Sequence, residues 1–140
     1  MSVDQSAGGS AYINGLHWTG SGGAAHKNFT NSGNITYNGK CKVNVFMSGA
    51  GYTPTGTWTN IQNTGTLTAN VTGLAAPLKI GGLARSSSTA TFNGCGNSGD
   101  IVFKGTSTNA VYLGGLAGDI NGAFKTAAEG YANTFVNSGD

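Results

Sequence analysis

Charge is scarce in this chain. Of 140 residues only 7 are Lys or Arg and 5 are Asp or Glu, so charged residues make up 9%, against roughly a quarter in a typical soluble domain. Seven basic residues spread along the whole length cannot form the cationic stripe that releases counterions from phosphates, so no nucleic-acid partner is expected. Electrostatic docking on an anionic membrane fails for the same reason. Long apolar runs are also missing: none approaches the ~18 residues needed to cross a bilayer, and no membrane insertion is expected. Proline and cysteine number 2 each. Cys41 and Cys95 have no metal-ligand spacing, and the sequence leaves open whether they are bonded. The opening residues MSVDQSAGGS lack the basic and apolar segments of a secretion signal.

What the chain has is glycine, at 25 positions, and hydrophobic residues at 38%, too many and too evenly spread for a disordered polymer. Its length fits one domain. Low charge with abundant Asn, Thr, Ser and Gly resembles secreted chains, so an extracellular or cell-surface location is expected.

An internal repeat organises the sequence. A Gly following a short apolar run recurs as Gly15, Gly49, Gly82 and Gly115, at intervals of 34, 33 and 33 residues. A second anchor follows each of them, at Asn31-Ser32-Gly33, Asn63-Thr64-Gly65, Asn97-Ser98-Gly99 and Asn137-Ser138-Gly139. The two anchors lie 16, 14, 15 and 22 residues apart, which places an insertion in the last unit around Asp119 to Tyr131. Strand alternation assigns the columns Ala11, Val45, Leu78, Val111 and Ile13, Met47, Ile80, Leu113 to the interior, together with Leu16, Ala50, Leu83, Leu116. It turns Tyr12, Phe46, Lys79 and Tyr112 outward. Helical arrays share this period, but the glycine content and the β-branched alternation exclude them. The expected fold is all-β: a single parallel β-solenoid (β-helix) over 1–140, with about four rungs and a period near 33 residues.

Gly81-Gly82-Leu83-Ala84 and Gly114-Gly115-Leu116-Ala117-Gly118, alternating with Asn97-Ser98-Gly99-Asp100-Ile101, resemble the GLUG-type repeats of large bacterial surface and adhesion proteins. The resemblance is clearest from Asn63 to Asp140. It implies an extracellular adhesive or stalk segment with no enzymatic activity attached to the motif.

The residues offer two candidate features. The column Asn31, Asn63, Asn97 and Asn137 suits a structural ladder of amides hydrogen-bonding from rung to rung. Tyr12, Phe46, Lys79 and Tyr112 form an outward strip suited to contact with a protein surface or, as the alternative, to stacking on sugars in a carbohydrate-binding module. The run Thr53 to Thr59 is confined to one unit and broken by Pro54, which argues against a regular ice-binding array. Catalytic material is thin: of Asp4, Asp100, Asp119, Glu129 and Asp140 only Asp100 and Asp140 fall at equivalent positions, after Asn-Ser-Gly, where the first two units have Asn34 and Thr66, and His17 and His26 have no metal spacing. No enzyme activity, cofactor or metal is expected. The fourth unit stops within its second anchor, so continuation in a longer array or end-to-end self-association into a fibre is expected, with other surface proteins and glycans as further partners.

Overall fold

A computed structural model of the chain describes residues 1–5, 10–15, 17–19, 25–39, 44–53, 55–74, 76–87, 90–120, 125–126, 135–137 and 139. Each repeat unit supplies strands to four sheets in turn. The first rung contains β1 (Ser2–Gln5), β2 (Ala11–Asn14), β3 (His17–Thr19) and β4 (His26–Asn31), and the second β5 (Ile35–Gly39), β6 (Val45–Ser48), β7 (Gly51–Thr53) and β8 (Thr57–Asn63). The third runs through β9 (Leu67–Leu74), β10 (Leu78–Gly81), β11 (Ala84–Ser87), β12 (Thr91–Asn93) and β13 (Cys95–Asn97). The fourth has β14 (Ile101–Ser107), β15 (Val111–Gly114), β16 (Ala117–Ile120), β17 (Lys125–Thr126) and β18 (Phe135–Asn137).

Equivalent strands stack in order. The first sheet is β1-β5-β9-β14, the second β2-β6-β10-β15 and the third β3-β7-β11-β16; in the fourth, β4 and the pair β12 and β13 flank β8, and β17 and β18 lie beyond that pair. Every described pairing is parallel, and its register follows the repeat: Ala11, Val45, Leu78 and Val111 align, as do Ile13, Met47, Ile80 and Leu113. The chain is therefore a parallel β-solenoid of four rungs. Most of the expected insertion between Asp119 and Tyr131, with Leu16, Cys41 and Pro54, lies outside the described residues.

Stacking places like side chains above one another, so each inward column adds to a continuous apolar stripe. One buried cluster joins the first two sheets through Ile35, Tyr37, Leu67, Val45, Met47 and Ile80. The other fills the space against the fourth sheet with Trp58, Ile61, Phe92, Cys95, Ala50 and Leu83. Leu113 departs from its column: it is 48% exposed whereas Ile80 is fully buried. β15 is the edge of its sheet, so Leu113 has a stacked strand neighbour on one side only.

The fourth sheet bends where the repeat alone gives no warning. Asn28 (φ 57°), Asn60 (φ 54°) and Gly94 (φ 59°) all adopt the left-handed backbone conformation. Their chain neighbours align as Lys27 with Thr59 and Phe29 with Ile61, so the kink is stacked rung on rung. Asn and Gly are the residues that tolerate this region, and Asn60 Nδ2 donates to Asn28 Oδ1 at 3.0 Å. The kink divides the partners of β8: β12 pairs with Thr57 to Thr59 and β13 with Gln62 and Asn63. Replacing Asn60 by Val, which is strained at positive φ, is expected to destabilise the fold by about 1–3 kcal/mol in denaturant titrations, while Asn60→Gly loses less than about 1 kcal/mol.

Candidate functional site

The two sequence anchors meet inside the solenoid. Asn31 Nδ2 donates to Asn63 Oδ1 at 2.7 Å, and Asn63 Nδ2 to Asn97 Oδ1 at 2.7 Å. The second amide proton of Asn63 reaches the Gly65 carbonyl at 2.9 Å, and Asn97 reaches that of Gly99 at 2.8 Å. Asn63 and Asn97 are buried, and these hydrogen bonds are what make their burial tolerable. Asn137 continues the column through its backbone pairing with Asn97; its side chain is not among the described atoms. Facing this ladder is the other anchor. A Cβ on Gly49 would collide with the Asn63 amide and the Gly82 carbonyl, and one on Gly82 with the Asn97 amide and the Gly115 carbonyl. Glycine clears the volume that the amides fill.

The outward column lies on the second sheet, with Tyr12 beside Phe46, Phe46 beside Lys79 and Lys79 beside Tyr112. It is not a continuous exposed aromatic strip. Tyr12 is 37% and Tyr112 45% exposed, but Phe46 only 5%. The Phe46 ring is covered by Tyr12, with centroids 5.0 Å apart, and by Arg85 of β11, whose guanidinium carbon stands 4.4 Å from the ring centroid. Lys79 Nζ lies 5.4 Å from the centre of the Tyr112 ring. The face therefore presents two exposed tyrosines with cations packed on aromatic rings between them, each contact contributing roughly 0.5–1 kcal/mol at a surface. Arg85 was not legible as a partner of this column, because it belongs to the next sheet. The signal for it is its place directly after the Gly82-Leu83-Ala84 corner.

A further polar column escapes a search built on apolar positions. On the outer face of the first sheet, Asp4, Asn38, Asn70 and Lys104 are in register. Asn38 Nδ2 donates to Asp4 Oδ1 at 2.7 Å and Asn70 Nδ2 to Asn38 Oδ1 at 2.7 Å. Ser48 Oγ makes a similar rung-to-rung bond to Asn14 Oδ1 at 2.8 Å.

Asp4 and Asp100 are exposed on the first sheet and the turn before it, the side chains of His17 and Asp119 are not described, and Glu129 and Asp140 lie outside the described residues. His26 packs edge-on against Trp58, with ring centroids 5.3 Å apart. Among the described residues no three His, Cys, Asp or Glu side chains gather as metal ligands. Cys95 is a buried free thiol, 3.3 Å from the Trp58 carbonyl oxygen. Burial pushes its pKa up, partly offset by hydrogen bonding to backbone.

Compared with protein-family models, curated proteins and solved structures, the chain matches none. The β-solenoid architecture rests on the stacked registers themselves, and no family follows from it.

Asn63→Ala strands the amide of Asn31 and the carbonyl of Asn97, and is expected to lower unfolding free energy by about 2–4 kcal/mol. Asn70→Ala, in the more exposed ladder, should lower it by under about 1 kcal/mol, both measured by chemical denaturation. Cys95 gives a pH signature. Its folded thiol keeps its proton to higher pH than the unfolded thiol, so the native state binds more protons in the alkaline range and stability falls as pH rises past the ordinary cysteine value. Denaturation midpoints followed into that range should drop more steeply for the wild-type chain than for Cys95→Ala.

Proposed function

We propose that this chain is a non-enzymatic, extracellular or cell-surface repeat segment with a structural and adhesive role, of the GLUG-like kind that its Gly-Gly-Leu-Ala and Asn-Ser-Gly-Asp motifs resemble. The observation that carries this reading is the outer column of the second sheet. Tyr12, Phe46, Lys79, Tyr112 and the adjoining Arg85 are held in register on a scaffold whose rungs are bonded to one another inside and out. Exposed aromatic rings flanked by cations suit contact with another protein surface. The stacked hydrogen bonds suit bearing load, since pulling rungs apart must break parallel backbone pairings and side-chain ladders together. Composition supports the absence of catalysis: five carboxylates in the whole chain leave little from which to assemble an acid–base site. No cofactor enters this reading.

A carbohydrate-binding role is the second reading, supported by the exposure of the Tyr12 and Tyr112 rings. Covering of Phe46 weakens it, because the two open rings are separated by three strand steps of about 4.8 Å instead of forming one continuous platform.

Beads coated with the purified chain should adhere to a protein-coated surface, and the Tyr12→Ala/Tyr112→Ala double variant should lose most of that adhesion while keeping its circular dichroism. Adhesion no greater than that of beads coated with an inert protein would sink the adhesive reading. Binding to a glycan array that disappears in Tyr112→Ala would move the assignment to the carbohydrate reading.

A further inference from the structure

Two features of the ends of the stack bear on what could meet them. The first is a glycine. A Cβ on Gly65 would stand 2.7 Å from the Gly33 carbonyl carbon, one on Gly99 2.7 Å from that of Gly65, and one on Gly139 2.7 Å from that of Gly99. Glycine is thus required wherever a rung lies beneath. Gly33 is the first of this column, and a Cβ there would meet only Asn31 Oδ1 at 3.8 Å. Its backbone is not left-handed either. Nothing in the described structure requires Gly33 to be glycine, whereas a further rung below it would. A depression of about 140 Å3 opens at this same end, lined by Asn14, Gly15, Asn31, Gly33 and Asn34.

The second feature is charge. The outer ladder of the first sheet begins with Asp4 on the edge strand β1 and finishes with Lys104 on the opposite edge strand β14, both exposed. A lysine on an edge strand deters pairing with its own kind. Two β14 edges that met with Lys104 opposite itself would repel, as would two β1 edges that met at Asp4. β1 set on β14 in the continuing parallel register brings Asp4 opposite Lys104.

We propose that a second copy of this chain docks head to tail, its β1 and β2 adding as parallel strands to β14 and β15 of the first. The proposal deepens the structural role given above and rests on it. Continuing the observed registers by one rung places Asp4 of the incoming copy against Lys104, Val3 against Phe103, Tyr12 against Tyr112 and Ile13 against Leu113. The four residues of β1 match Val102 to Gly105, ahead of the register shift between Gly105 and Ser107. Leu113, 48% exposed, gains the covering strand that its column has elsewhere. The Gly139 carbonyl arrives beneath Gly33. Such a contact is heterologous, since the two surfaces differ, and it propagates into a filament or closes into a ring.

Sedimentation velocity and negative-stain microscopy across a concentration series test this. The wild-type chain is expected to grow in mass with concentration. Asp4→Lys and Lys104→Glu are each expected to weaken association by about tenfold, as attraction turns to repulsion. Mixed in equal amounts, the two variants should associate again, because each end of one then meets an opposite charge on the other. Gly33→Ala should keep its unfolding midpoint and lose association. Lys104→Glu alters an exposed side chain, so the charge arm stands even where another variant loses stability. A wild-type chain of constant monomer mass overturns the proposal, as does association indifferent to both charge variants, to their mixing and to Gly33→Ala. A monomer whose beads still adhere sinks this proposal alone, whereas polymers without adhesion sink only the adhesive reading.

Discussion

The contact on which this structure depends is the fit of an asparagine amide into the space left by a glycine. Asn63 and Asn97 sit in the interior, where an unpaired amide would be prohibitively unfavourable. Asn63 bonds to its equivalents in both adjacent rungs, Asn97 bonds to Asn63 and the Gly99 carbonyl, and Gly49 or Gly82 clears the volume each occupies. The two anchors are therefore one interaction viewed from both sides. Their spacing along the chain can vary between 14 and 16 residues in the first three units, since what must be preserved is their meeting across the rung.

Repetition changes the energetics of polar burial. In an ordinary core a buried amide needs several different partners, each positioned by separate parts of the chain. Here the partner is the same residue one rung away, and a single stacking register satisfies the whole column. The same logic on the outer face yields the Asp4, Asn38 and Asn70 ladder, where water competes and each bond contributes less. It also accounts for the stacked left-handed residues of the fourth sheet. A kink in one rung would break the pairing with its neighbours unless every rung kinked at the same place, and Asn28, Asn60 and Gly94 do so together.

Much of this was legible from the sequence because a solenoid converts periodicity directly into contact. The columns through Val45, Met47 and Leu78 are interior for the reason that assigned them there: alternation fixes the face and the period fixes the neighbour. The outward column was placed on its sheet correctly, yet its exposure was not. Phe46 is covered by Arg85, which comes from the adjoining sheet around a corner, and corner geometry has no counterpart in an alignment of units. The Asp4 to Lys104 column passed unnoticed because only its two middle members, Asn38 and Asn70, share chemistry. The positive-φ column was missed for a related reason, since two asparagines and a glycine become equivalent only once the backbone conformation is known.

Such a stack has no intrinsic length. Backbone pairing, the amide ladder and the glycine column are all nearest-neighbour terms, so an interior rung gains from two neighbours and an end rung from one. Ile80 and Leu113 show the difference in one column: the first is sealed, the second half open. The apolar area still exposed on Leu113 corresponds to roughly 1 kcal/mol or more of burial not realised, and an edge strand leaves backbone donors and acceptors on its outer side as well. A solenoid can discourage growth by making its ends repel every partner, or direct growth by making them repel all but one. Like charges on both ends would do the first. In the assembly proposed above, an aspartate at one end of a column and a lysine at the other do the second: set in the continuing register they attract, whereas either one set against itself repels.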